Sequence, residues 1–95
     1  MKRNELVKEI TDILDNAVFT YKGELYDKEF NCIGYLPDLT YWVSNYLGYD
    51  DDECDELTDY IQTDIFDMFC RTYSDENTLH SRYISHVKRL LLNLI

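Results

Sequence analysis

From Glu29 to Cys70 the chain has no lysine and no arginine, yet eleven aspartates and glutamates fall there. This span therefore holds more than the entire net charge of −10. The flanks are close to balanced, with five bases against six acids up to Lys28 and four against two from Arg71 onward. Ordinary solubilising surfaces intersperse the two signs. A one-sign block of this length leaves two readings, a solvated face or a recognition surface.

Other absences narrow the class. The three cysteines, Cys32, Cys54 and Cys70, include no CxxC pair, which excludes a zinc ribbon and a thioredoxin-type site. An odd number of widely spaced thiols suits a reducing compartment, so a cytoplasmic location is expected. No apolar run approaches the ~18–20 residues needed to span a bilayer. The opening Met-Lys-Arg-Asn-Glu leads into an amphipathic pattern, so neither a signal peptide nor membrane binding is expected. There is no internal repeat and no low-complexity linker.

Catalytic signatures are missing as well. His80 and His86 are the only neutral-pH acid–base candidates. Six residues apart, they lie off each other's helical face, and both are expected at the surface or its boundary. The acidic run fails as a calcium loop, because counting from Asp50 or Asp51 puts Asp55 or Glu56 where an EF-hand needs glycine. Carboxylates on a solvated ridge are not a pair held across a cleft. The expectation is a protein with no catalytic residue, no metal site and no cofactor.

What is present argues for a folded body. Hydrophobic residues make up 45% of the chain and aromatics 15%, too much for a disordered acidic tail. Its 95 residues suffice for one domain, residues 1–95, with a single modest core. Residues 4–18 read as a helix, with Asn4 as N-cap and a stripe of Leu6, Ile10, Ile13, Leu14, Ala17 and Val18. Residues 19–36 carry two readings: a hairpin turning at Lys22-Gly23, or a helix extension, a loop and a helical turn near Asp27–Cys32. Pro37 and Gly48 bracket a second helix with Leu39, Trp42, Val43, Tyr46 and Leu47 inward.

A third helix is expected from about Asp51 to Thr72, opened by an Asp50–Glu53 capping box. Its inward stripe is Leu57, Ile61, Ile65 and Met68, with Cys70 as buried filler. A fourth follows Ser74-Asp-Glu-Asn77, with Leu79, Tyr83, Val87, Leu90, Leu91 and Leu94 inward and His80 on another face. Leu92 and Ile95 fall outside that stripe and are either buried against the first helix or part of a self-association surface. The fold class is mostly α: a single-domain bundle of three to four helices, with a short β-hairpin near residues 18–26 as one reading.

The candidate site lies on the third helix. Asp52, Glu56, Asp59, Thr63 and Asp67 recur at helical spacing on the face opposite the apolar stripe, with Asp50, Asp51, Glu53 and Asp55 clustered at the cap. Four residues at ~1.5 Å rise place carboxylates roughly 6 Å apart, comparable to phosphates along a B-DNA strand. Tyr49 and Tyr60, with Tyr41, flank the block and either supply contact area or wrap the core.

Asp38-Leu39 at a helix start, Asp55-Glu-Leu-Thr-Asp-Tyr60 and Asp64-Ile-Phe-Asp-Met68 together resemble the Ocr-type antirestriction proteins of phages, over about thirty residues. The resemblance implies an acidic helical dimer that imitates bent DNA and occupies a restriction enzyme, and a third helix broken near Gln62–Asp64. This chain departs from that pattern in its basic C-terminal helix. Small anti-CRISPR proteins and inhibitors of uracil-DNA glycosylase share the charge strategy without the sequence.

Two partner classes follow. In the first, the acidic ridge blocks the cleft of a basic nucleic-acid-binding host protein by steric competition, with no direct binding of nucleic acid and with the C-terminal helix as a homodimer contact. In the second, the chain is an immunity- or antitoxin-like partner or an adaptor, anchored by tyrosine and apolar contacts.

Overall fold

The computed structural model describes residues 2–95. The elements run α1 (Arg3–Asn16), β1 (Phe19–Tyr21), β2 (Glu24–Tyr26), β3 (Cys32–Tyr35), α2 (Leu36–Leu47), α3 (51–72) and α4 (Glu76–Leu94). Four helices and a three-stranded antiparallel meander in the order β1-β2-β3 share one core. This is the mostly α single-domain architecture that the periodicities indicate.

α1 buries Leu6, Ile10 and Leu14, one face at helical spacing. It starts one residue earlier than expected, with Lys2 rather than Asn4 at the N-cap and no side-chain cap. It also ends earlier. Ala17 is already extended, and the Val18 amide donates to the Tyr26 carbonyl, so Val18 leaves the helical stripe and is 48% exposed.

The hairpin reading of residues 18–26 holds. Lys22 and Gly23 both have positive φ, at 50° and 82°, as a two-residue type I′ turn requires. Gly23 is constrained twice over, since a Cβ there would lie 2.8 Å from the Gln62 side chain. β3 replaces the expected alternative of a helical turn near Asp27–Cys32. The Asp27 carboxylate accepts from the amides of Glu29 and Asn31, and this tight loop returns the chain antiparallel to β2.

α2 follows β3 without a linker. Pro37 sits in its first turn, where a missing N–H costs nothing, and Gly48 ends it at φ 77°. Its inward face is Leu36, Leu39, Thr40, Val43 and Ser44.

α3 is one continuous rod with an irregular middle. Asp51–Asp59 and Phe66–Thr72 are α-helical, and Tyr60–Ile65 form a π turn. The break near Gln62–Asp64 implied by the resemblance is thus a widened turn and not an interruption. A π turn acts as one inserted residue and retards everything after it by about 100°. Ile61 and Ile65 stay buried, and the next inward side chains are Phe66 and Phe69 and not Met68, which is 50% exposed. Cys70 is exposed, so its expected role as buried filler does not hold.

α4 begins at Asp75, whose carboxylate accepts from the Thr78 amide and hydroxyl. Its buried residues are His80, Tyr83, Ile84, Val87 and Leu91. His80 therefore belongs to the core and not to the surface or boundary position expected. The Tyr83 hydroxyl donates to the Ile61 carbonyl at 2.8 Å, tying α4 to the π turn. Leu92 and Ile95 are half-buried and packed against the core. Among the described residues no helix is long and apolar enough to cross a membrane.

Candidate functional site

The acidic face is built from the start of α3. The Asp50 carboxylate accepts the Glu53 amide at 2.8 Å, and the Glu53 carboxylate accepts the Asp50 amide at 3.4 Å, closing the capping box. Asp51, Asp52 and Glu53 fill the first turn, where the exposed N–H groups and the helix dipole favour negative charge.

The inner side of this segment is held without full burial. No residue of Asp51–Asp59 is buried. Leu57 packs against the core, and the Thr58 hydroxyl meets that of Thr40 on α2 at 2.6 Å while also donating to the Cys54 carbonyl. The segment thus lies on α2 as a ridge, with its remaining faces open.

Asp50, Asp51, Asp52, Glu53, Asp55, Glu56, Asp59 and Asp67 are all exposed. Phasing changes along the rod. Up to Asp59 the α-helical ridge of Asp52, Glu56 and Asp59 stands as expected. In the π turn the repeat becomes five residues, which brings Asp64 beneath Asp59 beside Thr63. Asp64 was outside the ridge on α-helical phasing, and it too is exposed. Regular periodicity carries no signal for it, because a π turn has no local sequence mark.

None of these carboxylates is neutralised internally. Among the described residues the one ion pair between fully charged groups is Lys88 with Asp15, joining α4 to α1, and Glu76 lies 3.8 Å from His80, which pairs with it only when protonated. Neither involves residues 29–70. On the sheet side the Tyr35 phenol is raised above its ordinary range, first by hydrogen bonding with Cys32 and further by the nearby Glu24 and Asp38 carboxylates. A hydrogen bond with the Glu24 carboxylate pushes the Tyr26 phenol up to about 12.

The flanking tyrosines differ. Tyr60, at the head of the π turn, is 46% exposed and Tyr41 on α2 is 56% exposed, whereas Tyr49 is half-buried before the cap. Among the described residues no three His, Cys, Asp or Glu side chains are grouped to hold a metal ion. What the arrangement offers chemically is a fixed, unpaired array of negative charge with aromatic edges. No family model, no curated protein and no solved structure matches the chain.

Proposed function

We propose that the chain is a phage-type inhibitor of a host nucleic-acid-binding defence protein, of the restriction or CRISPR kind. It acts stoichiometrically in the host cytoplasm, as an acidic DNA mimic that fills a basic nucleic-acid-binding cleft. The observation that carries this reading is the α3 surface: nine carboxylates from Asp50 to Asp67 face solvent, and none closes an ion pair among the described residues. A solvated surface gains nothing from excluding every base, whereas a mimic of phosphates requires that exclusion.

The mechanism follows from the charge. A one-sign ridge on a small body steers a basic partner to it, and burial of the ridge then blocks nucleic acid sterically. No step is catalytic. A rigid capping box and a rod braced on α2 hold the carboxylates in place before contact, which limits the ordering cost of association.

Charge reversal tests this. Replacing Asp52, Glu56 and Asp59 by Lys is expected to abolish inhibition and partner capture while helical circular dichroism is retained. Full inhibition by the folded triple variant would refute the proposal. Capture from host lysate should also fail in the presence of excess DNA.

Exposed Tyr41 and Tyr60 favour a second reading, an immunity- or antitoxin-like or adaptor module anchored by aromatic contact. Salt separates the two, because only the charge-driven complex weakens steeply as ionic strength rises.

A further inference from the structure

Among the described residues one hydrogen bond ties β1 to the helices. β1 is a three-residue edge strand paired to β2 alone, and its Thr20 amide donates to His80 Nδ1 on α4 at 3.3 Å. Both residues are buried, so water does not stand in for a lost partner. An amide can donate only to an imidazole nitrogen that carries a lone pair. Neutral His80 meets that condition with its proton on Nε2. The imidazolium does not, because both of its nitrogens are donors.

The surroundings of the ring set how readily it takes a proton. From β1 it meets Phe19 and the Thr20 amide, and from α3 it meets Phe66 at a centroid distance of 5.9 Å. None of these groups is charged. On its own helix the exposed Glu76 carboxylate stands one turn earlier, 3.8 Å from Nε2. The Tyr83 hydroxyl, three residues on, is engaged by the Ile61 carbonyl, and burial keeps it neutral. Burial disfavours the imidazolium, and Glu76 pulls in the other direction.

The strand also has a joint at each end. Ala17 leaves α1 in an extended conformation, and Lys22 and Gly23 turn at positive φ. β2 is anchored independently, by the fully buried Leu25 and by the Leu36 amide on the Gly23 carbonyl at 2.7 Å. The Phe19 ring meets that of Phe30 edge-on at 6.2 Å, and Phe30 is 71% exposed, so this flank is open to water.

We propose that Thr20 and His80 form a proton-released latch: when the imidazole is protonated, the β1 edge lifts from α4 while β2 and the helices stay packed. The opening is local and distinct from unfolding. It uncovers the faces of Phe19 and Phe66 that rest on His80, which makes exposed aromatic surface a function of pH. The latch stands whether or not α3 binds a basic partner.

Amide hydrogen exchange of the full chain, followed by NMR at several low urea concentrations, tests this. The Thr20 amide should be less protected than those of Ile10 and Val87 in the core, and its exchange should depend little on urea, as in a local opening. Its protection, corrected for intrinsic exchange, should fall by about three- to tenfold between about pH 7.5 and 5. His80→Gln, which offers an acceptor that does not titrate, should remove that fall. Glu76→Gln, at an exposed position, should move it to lower pH. Equal protection and equal urea dependence for Thr20, Ile10 and Val87 would overturn the proposal. So would a Thr20 protection that does not change with pH, or a fall left in place by Glu76→Gln.

Discussion

His80 carries out a task that needs an uncharged imidazole. It is 4% exposed, its ring centroid lies 4.3 Å from that of Phe19, and its Nδ1 accepts the Thr20 amide at 3.3 Å. That amide points away from β2, so the histidine satisfies an edge donor that would otherwise be buried unpaired. Burial holds the pKa of His80 below its ordinary 6.5, and the Glu76 carboxylate only partly opposes this. The unfolded chain therefore takes up the proton first as pH falls. Stability is complete above about pH 6.5 and declines below it, by at most about 1.4 kcal/mol per pH unit for one proton. Urea midpoints measured between about pH 7.5 and 5, where carboxylates stay ionised, should show this fall. His80→Gln should remove the His80 part of the slope. An unchanged slope would show that protonation of His80 is not what destabilises the fold. In the sequence the residue looks like a surface histidine, since its type is polar and its packing partner lies sixty positions away. Phe30 misleads in the opposite sense, being apolar yet displayed.

At the scale of elements, periodicity identifies whatever is regular. α1, α2 and α4 appear in the sequence because their inward residues recur at helical spacing and because Gly48 marks an end. The Lys22-Gly23 turn marks the hairpin as well. β3 escapes because Cys32–Tyr35 is four residues long and half-exposed, without the alternation that a one-sided strand shows. α3 escapes in its second half because the π turn is braced from another element, by the Tyr83 hydroxyl on the Ile61 carbonyl, and local sequence does not show that contact. The two registers differ in one measurable way. With the π turn, Phe69 packs inward and Met68 faces water. Met68→Gln is then expected to change stability by no more than about 0.5 kcal/mol, as at other open surface sites. Phe69→Ala should cost roughly 2–4 kcal/mol, the lower figure reflecting partial burial. An uninterrupted α-helix would reverse the order of these two costs in thermal or denaturant unfolding. The same register decides the candidate site, since it brings Asp64 into the ridge that regular phasing leaves to Thr63.

For the whole molecule, the charge that defines the candidate site works against the fold. On α3, Glu56 stands three or four residues from Asp52, Glu53 and Asp59, and Asp59 stands four from Asp55. Each like-charge pair at such spacing destabilises a helix by about 0.2–0.5 kcal/mol. Glu56→Gln with Asp59→Asn removes all four repulsions while leaving shape and helix propensity nearly unchanged. The double variant should therefore be more stable at low salt by about 1–2 kcal/mol, with a melting temperature higher by about 4–8 °C for each kcal/mol. In about 1 M salt, where screening acts within ~3 Å, the two proteins should melt together. Calorimetry at both ionic strengths separates this electrostatic gain from any repacking. If the ridge is the binding face, the stabilised variant must also lose affinity for its basic partner. A variant that gains stability and keeps full inhibition would reduce the acidic block to a solvated surface.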